Sequence, residues 1–405
     1  MTPQRADQNI ARYPWFKAFQ SLLFWQAVWF LFFQDTLSAS QAIVLYAFYD
    51  LSTTMLEVPS GYMSDRVGRR PTLIMAALTG VLGSVLLTVG DGFAVFACAQ
   101  ILLGAAAAFA SGTDSSMLFE SLKAAGRAAE VEAQEVRAWR FSFAAFAVSA
   151  VSGGAMAMID PRLSFAATTL AMLGMLALAL GFSEPPHHAV KRSRLRVLSA
   201  AFQQPVLRWL FVLSLTMYAF SHIPFVFGQP FILQTLAPLG LSGEAPLVSG
   251  AITAVMMLVS VAVSLVSRRL RRRVGLPAMV LLAFGLQIAV IWLMSVSGTA
   301  AASLLLLLRM VPDSLAGPFV QARLQPLLND AARATYLSLQ SLGGRLLLSL
   351  SLLLAAGRTA DVGGMPLDDI NRILAGYAAL GALVWVGLAV TARRVPLEPR
   401  RANPS

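Results

Sequence analysis

The sequence has few charged residues and almost no cysteine or histidine. Only 13% of its 405 residues are Asp, Glu, Lys or Arg, whereas a soluble domain carries about 25%. With 57% hydrophobic residues and a mean hydropathy of +0.69, this shortage excludes a water-soluble globular protein. The single Cys98 excludes an internal disulfide, and His187 and His188 stand beside no cysteine or acidic cluster. We therefore expect no metal and no cofactor.

Several motifs of pumps and hydrolases are also missing. A phosphate-binding loop of the form GxxxxGK followed by Ser or Thr does not occur, which argues against a primary pump. Neither HExxH nor GxSxG occurs, so a membrane enzyme is not favoured.

Long apolar runs are what the sequence has in place of charge. A spanning helix needs roughly 20 apolar residues, and such runs recur between short charged, Gly- or Pro-containing breaks. We predict an all-α membrane protein with 12 transmembrane helices in two pseudo-symmetric six-helix bundles, residues 1–183 and 206–405, joined by a basic cytoplasmic linker, residues 184–205. The predicted helices are 15–34, 41–62, 71–90, 93–118, 133–156, 163–182, 206–236, 246–267, 277–297, 300–325, 333–357 and 370–392.

The net charge of +11 would suggest nucleic-acid binding in a soluble protein, but here the basic residues fall in alternate loops. Of the 31 Lys and Arg residues, only Arg162, Arg358 and Arg372 fall in segments that we place outside. By the positive-inside rule, both termini then lie on the cytoplasmic side of the membrane, which we expect to be a bacterial inner membrane. We expect the polar N-terminus to be a retained cytoplasmic tail, and we expect no nucleic-acid partner.

A similar basic loop occurs in each of the two halves. The first basic turn reads DRVGRRP at residues 65–71, and the second basic turn reads RRLRRRVGLP at residues 268–277. Each ends in a proline that opens the next helix, as an internal repeat of a two-lobed transporter would. In the first turn, Gly61 would let a helix approach closely, and Asp65 would accept from a helix N-terminus and pair with Arg.

This turn resembles the loop signature GxxxDRxGRR of the major facilitator superfamily. The match comprises Gly61, Asp65, Arg66, Gly68, Arg69 and Arg70. The resemblance implies a major facilitator fold and a conformational latch, in which these residues fix the second helix against the eleventh, near Arg333. The alternative is a plain cytoplasmic turn.

Two further strings, LEVPSG at 56–61 and SGTDSSMLFESL at 111–122, resemble an uncharacterised bacterial branch of that family. Drug/proton antiporters of the superfamily carry an arginine in the fourth helix at the position where this chain has Gln100. The fifth helix also lacks their Gly-Pro signature, so the antiporter subclass does not follow from the resemblance.

Six charged residues lie in or near the predicted membrane helices: Asp50, Glu57, Asp114, Arg309, Asp313 and Arg345. Each costs roughly 3 kcal/mol on insertion scales, or about 18 kcal/mol for six, which exceeds a typical stability of about 5–15 kcal/mol. These groups must therefore be neutral, paired with an opposite charge, or in contact with water. They therefore predict a polar pathway through the protein.

Spacing separates the roles of these charges. Asp50 and Glu57 are seven residues apart and share one helix face, so we expect that face to look inward and one of the two to couple protons. Asp313, Asp114 and His222 are the competing candidates for coupling. Asp313 and Arg309, four residues apart, form a structural ion pair in the alternative interpretation. Asp114 is alternatively a latch partner for an arginine, and His222 is alternatively an interhelical packing residue. We expect Glu120, which is nearer the loop, to be a solvated gate residue.

Polar and aromatic side chains at helical spacing predict the pathway lining. In the seventh helix, Pro224, Gly228 and Pro230 predict a break beside such polar and aromatic side chains, because broken helices occur where backbone lines a cavity. Packing, interfacial anchoring or interhelical hydrogen bonding would explain these side chains equally well. The candidates are Gln26, Trp29, Phe33, Tyr218, Phe225, Gln229, Arg309, Ser341 and Arg345.

The sequence thus favours a secondary transporter of a small organic solute, working by alternating access and coupled to protons. Aromatic residues in the first and seventh helices favour an amphiphilic compound such as a drug, metabolite or siderophore, with efflux ahead of import. We expect a monomer in the lipid bilayer. A membrane receptor or assembly partner that moves nothing is the alternative of another class.

Overall fold

The computed structural model describes residues 2–185, 202–324, 327–328, 330–359 and 364–398, and the side chains of 330–335 lie outside that description. Within those ranges the chain forms helices and no strand. The helices of the first half are α1 Pro3–Ser21, α2 Trp29–Gln34, α3 Ala39–Arg66, α4 Arg69–Val89, α5 Gly92–Ala110, α6 Thr113–Ala124, α7 Val131–Ala157 and α8 Pro161–Gly181. Those of the second half are α9 Pro205–Leu236, α10 Ala245–Val274, α11 Leu276–Ser295, α12 Val311–Leu324, α13 Asp330–Ala356 and α14 Leu367–Ala392.

Local sequence explains where several helices begin. Ser38 forms a capping box with Gln41: its hydroxyl accepts from the Gln41 backbone N–H at 3.2 Å, and the Gln41 side chain accepts from the Ser38 N–H at 3.1 Å. Asp160 accepts from the Arg162 N–H ahead of α8, whose first residue is Pro161. These signals confirm the predicted helix starts to within a few residues.

Ten helices of the described chain are long and apolar enough to cross a membrane. The two predicted spans that fall short are the first, which is broken, and α3, whose polar residues lower its hydropathy. The all-helical membrane class is therefore confirmed, while the count of twelve remains a prediction.

Three predicted helices are interrupted. The first, predicted at 15–34, consists of α1, a 3-10 turn at Phe24–Ala27 and α2. The fourth, predicted at 93–118, ends at Ala110 and restarts after Gly112, whose φ of 71° ends the helix. The tenth, predicted at 300–325, begins as the 3-10 helix Ala300–Leu308 and becomes α-helical only from Val311.

The predicted break in the seventh helix is wrong, because α9 runs without interruption from Pro205 to Leu236. Next to Pro224, the Tyr218 carbonyl accepts from the Ser221 hydroxyl at 2.9 Å and from the His222 Nδ1–H at 2.8 Å. The oxygen that Pro224 leaves without its regular amide donor is that of Phe220, four residues earlier. The helix nevertheless continues through both prolines.

Chain contacts divide the molecule into two compact units. The first unit comprises Met1–Lys191 with Leu241–Ala254 and Leu352–Gly364, and the second comprises Arg192–Gly240, Val255–Ser351 and Met365–Ser405. The predicted division into bundles at 1–183 and 206–405 stays a prediction. In the first unit, Phe16, Leu73, Met117 and Met172 form a buried core. In the second, the Trp385 indole donates to the Leu281 carbonyl at 2.8 Å and joins α14 to α11.

Candidate functional site

The first basic turn is organised by one buried arginine. The Arg69 guanidinium, 8% exposed, donates to Asp65 at 2.7 Å, to Glu120 at 2.9 Å and to the Ser64 hydroxyl at 2.7 Å. Glu120, 16% exposed, is therefore an ion-pair partner rather than the solvated residue that we expected. Charge-assisted bonds of this kind fix geometry as well as adding energy. They hold the ends of α3, α4 and α6 together.

A third carboxylate, which follows α8 in the chain, caps the start of α4. The Glu184 side chain accepts from the backbone N–H groups of Arg69 at 2.7 Å and Arg70 at 2.8 Å. A carboxylate at this position satisfies donors that a helix leaves open and is favoured by the helix dipole. Asp65 was expected to accept from a helix N-terminus, but in this unit Glu184 does so.

Gly68 makes room for this cap. Its φ of 127° is accessible mainly to glycine. A Cβ atom on Gly68 would lie 2.7 Å from a Glu184 carboxylate oxygen, which is an overlap. The signature glycine is thus required by the backbone angle and by the carboxylate together.

The second unit repeats this cap. Glu398 follows α14 and accepts from the Leu276 N–H at 2.5 Å and from Arg271 at 2.8 Å. Gly275, with a φ of 82°, precedes α11 as Gly68 precedes α4. Glu184 and Glu398 were missed from sequence, although each is followed directly by proline after the last helix of its half. That shared Glu-Pro pair was the available signal.

The acidic face of α3 combines one buried and one accessible carboxylate. Asp50 is 1% exposed, and Glu57 is half-buried. On the adjacent face, the hydroxyls of Ser52, Thr53 and Ser60 donate to backbone carbonyls of α5 at 2.8–3.1 Å. This hydroxyl seam fixes α3 on α5 and sets the direction in which the two acids point.

Gly61 is exposed, and among the described residues no atom lies within 4 Å of a Cβ built on it. The close approach of a helix at this glycine stays a prediction. Arg66 is also exposed and stacks on Tyr62, with 5.2 Å from its Cζ to the ring centroid. The start of α13 near Arg333, the expected latch partner, lies outside the residues whose side chains are described.

Asp114 pairs with Lys17, which lies on α1. The two charged atoms are 2.7 Å apart, and both side chains are largely withdrawn from solvent. The expected latch arginine is therefore replaced by a lysine about 100 residues earlier in the chain. A charged partner of this kind explains how the carboxylate is tolerated at the start of α6.

In the second unit, two arginines lie over aromatic rings of α9. Arg309 Cζ is 5.0 Å from the Phe225 ring centroid, and Arg345 Cζ is 5.5 Å from that of Tyr218. The Tyr218 and His222 rings stack at 4.4 Å. Both guanidinium groups are within electrostatic range of His222. Five separate sequence candidates thus form one group, which we call the basic-aromatic cluster.

The remaining candidates are scattered. Trp29 and Phe33 are buried in an aromatic core of the first unit, where Trp29 packs on Tyr46 with 5.1 Å between ring centroids. Gln26 lies in the 3-10 turn between α1 and α2. Gln229 is buried in α9, and Ser341 is half-buried in α13. Packing accounts for Trp29 and Phe33 as they stand, and a contact with solute stays a prediction for all four.

The described residues contain no candidate metal site. No three His, Cys, Asp or Glu side chains there are grouped closely enough to hold a metal ion. His187 and His188 lie outside those ranges.

A family model for the Major Facilitator Superfamily matches residues 15–352. The chain belongs to that superfamily. The expected family and fold are confirmed, and the protein is a multi-pass membrane transporter rather than an enzyme. No curated protein sequence matches it.

Solved transporters share this superfamily fold. The nucleoside transporter NupG is 13% identical with a TM-score of 0.73, and the match covers 94% of this chain and 98% of that one. A D-xylose-proton symporter is 14% identical with a TM-score of 0.70, covering 95% and 96%. A bacterial homolog of the human lysosomal transporter Spinster is 13% identical with a TM-score of 0.70, covering 98% and 99%. Identities this low show a shared fold and nothing more.

Proposed function

We propose that this superfamily member exports a small amphiphilic organic compound in exchange for protons, by alternating access. It would sit in a bacterial inner membrane as a monomer, with both termini in the cytoplasm. The basic loops support that orientation through the positive-inside rule. The half-buried aromatic residues of α9, Tyr218 and Phe225, support an amphiphilic solute.

The observation that carries the proposal is the burial of Asp50 in the middle of α3. Helices α2, α4 and α5 pack on α3. Arg69 and Arg70 at the start of α4 are the charged residues of those three helices, and Cys98 on α5 is their other titratable group. Ionisable side chains inside membrane helices are rare and mark proton relays in many transporters, which is the role that we assign to Asp50. Glu57, two turns later on the same face, would relay the proton.

Proteoliposomes loaded with a pH-sensitive dye test this proposal. Amphiphilic acids, bases and neutral compounds are added one at a time, and proton movement is recorded with the solute gradient imposed in either direction. Export predicts that protons enter as solute leaves the cytoplasmic side. Protons and solute moving together would instead indicate import by symport. Solute movement with no proton flux for any compound would refute coupling.

Variants then assign the coupling residue. Asp50→Asn or Glu57→Gln should permit solute exchange while abolishing accumulation driven by the pH gradient. Glu132→Gln, an exposed acid on α7, is the matched control and should behave as wild type. If both α3 variants still concentrate solute with a normal pH dependence, coupling moves to Asp114, Asp313 or His222.

A further inference from the structure

The basic-aromatic cluster has a chemistry that the proton-coupling acids do not explain. We propose that it binds the oxyanion of the transported solute, so that the substrate is an aromatic or apolar organic acid, a carboxylate or a phosphate monoester. This inference rests on the proposed transport function and specifies its substrate class.

The first supporting observation is the charge balance of the second half. From residue 206 to 405 the sequence has sixteen arginines and only seven acidic residues. Asp313 is within electrostatic range of Arg309. Two of the sixteen, Arg309 and Arg345, lie in membrane helices of the same unit, at a cost of roughly 3 kcal/mol each. Ionisable residues inside membrane helices are functional candidates by default, and guanidinium groups select anions.

The second observation is how closely Arg345 is positioned. Gly344 lies directly against Tyr218: a Cβ there would be 3.0 Å from three atoms of the tyrosine side chain. Gly343 lies equally close to Leu215. The two glycines let α13 approach α9 and set the next residue, Arg345, over the Tyr218 ring. A guanidinium carries its N–H donors in a rigid planar fork, which matches carboxylate or phosphate in a bidentate manner.

The third observation is the backbone at Arg309. This residue ends the 3-10 helix Ala300–Leu308, and α12 begins two residues later. A change from 3-10 to α-helix inside a membrane segment marks a functional hinge in many proteins. Arg309 is held there by the Phe225 ring and by a bond from its Nε to the Met256 sulfur at 3.3 Å.

His222 stacks on the Tyr218 ring that Arg345 also contacts, and it has a defined tautomer. Because a carbonyl only accepts, the 2.8 Å contact with the Tyr218 oxygen places a proton on Nδ1. The charged and aromatic members of the cluster are all half-buried. Apolar rings beside two cationic forks would bind a planar or apolar body that carries one oxyanion.

Binding to the purified full-length protein in lipid nanodiscs tests the inference. The probes are benzoate, phenyl phosphate, benzamide and benzylammonium, and the readouts are the thermal unfolding midpoint and the Kd. Benzoate or phenyl phosphate should raise the midpoint, and benzamide and benzylammonium should not. Carboxylate alone would indicate organic acids, and phosphate alone would indicate phosphate esters. A shift with benzamide equal to that with benzoate, or no shift with either anion, would overturn the proposal.

Variants locate the site. Arg309→Gln and Arg345→Gln should each weaken anion binding at least about tenfold, as expected for the loss of charge-assisted bonds. Arg345→Lys should restore part of it, since charge remains but the planar fork is lost. Arg208→Gln removes an exposed charge from α9 and should leave the Kd unchanged. Unaltered anion binding in both glutamine variants would place the anion elsewhere.

The wild-type comparison of anion and amide stands even if a variant fails to fold. Proton flux driven by a neutral amphiphile separates the two proposals. If that flux occurs and no anion binds, proton-coupled transport holds and the oxyanion assignment fails.

Discussion

The two basic turns share a glutamate cap and differ in what surrounds it. Glu184 and Glu398 each accept from the first backbone N–H groups of a long helix that follows a positive-φ glycine. Only the first turn surrounds its cap with a buried arginine that bridges two further acids. In the second turn Arg271 contacts the cap itself, and its neighbours Arg272 and Arg273 are exposed. The cap is therefore the repeated device, and the Arg69 network is specific to the first unit.

The largest expected effect breaks that network. Arg69→Ala should lower the free energy of unfolding by about 3 kcal/mol, because it leaves the Glu120 carboxylate without its ion pair in a largely buried site. Arg271→Ala should cost less than about 1 kcal/mol, as for exposed ion pairs. Denaturation in detergent mixtures measures both. Equal losses would show that the two turns are energetically alike.

The glycines sharpen the comparison. Gly68→Ala should cost about 2 kcal/mol from backbone strain, with an added overlap against Glu184, and Gly275→Ala should cost less because its Cβ would lie 3.2 Å from Glu398. Gly61→Ala is the control: the residue is helical with open space around it, so stability should stay level or rise slightly. The same unfolding assay ranks the three, and a Gly275→Ala loss equal to that of Gly68→Ala would contradict the ranking.

The caps predict a smaller effect that depends on pH. Burial alone would raise the pKa of Glu398, but the Leu276 N–H and Arg271 lower it on balance. Its stabilisation is then present above the unfolded value of about 4.3 and is lost as pH falls through the lower folded value. Glu398→Gln should lower the unfolding midpoint at neutral pH and flatten its decline below about pH 4.3. A variant whose acid decline matches that of wild type would show that Glu398 contributes nothing to it.

The smallest effect on stability is expected at Asp65, whose side chain is 44% exposed. Asp65→Asn should change the free energy of unfolding by less than about 1 kcal/mol and yet lower solute flux, if this carboxylate stabilises one conformer of the transport cycle. Flux in proteoliposomes is measured at matched protein amounts, with Asp7→Asn, an exposed partner of Arg127, as the control. Normal flux at normal abundance would remove the latch role.

The helices of this protein are largely predictable because their signals are local. Apolar runs, capping residues and proline starts place most helix ends within a few residues. The break after α1 carries no such signal, since residues 15–34 contain neither Gly nor Pro. There the Phe24 backbone lies directly against Gly153 of α7, so distant packing decides the local conformation.

The charged residues show the same difference between what local sequence predicts and what distant packing decides. The sequence by itself determined the fold family, the basic turns and the glycine that opens α4, because these depend on hydropathy, spacing and backbone angle. Only the tertiary structure decided that Arg69 meets Glu120, 51 residues away, and that Glu184 caps a helix 115 residues earlier. Likewise it joined Arg309 and Arg345 to the rings of α9. Which charges meet depends on how helices pack across the membrane, and no local signal records that choice.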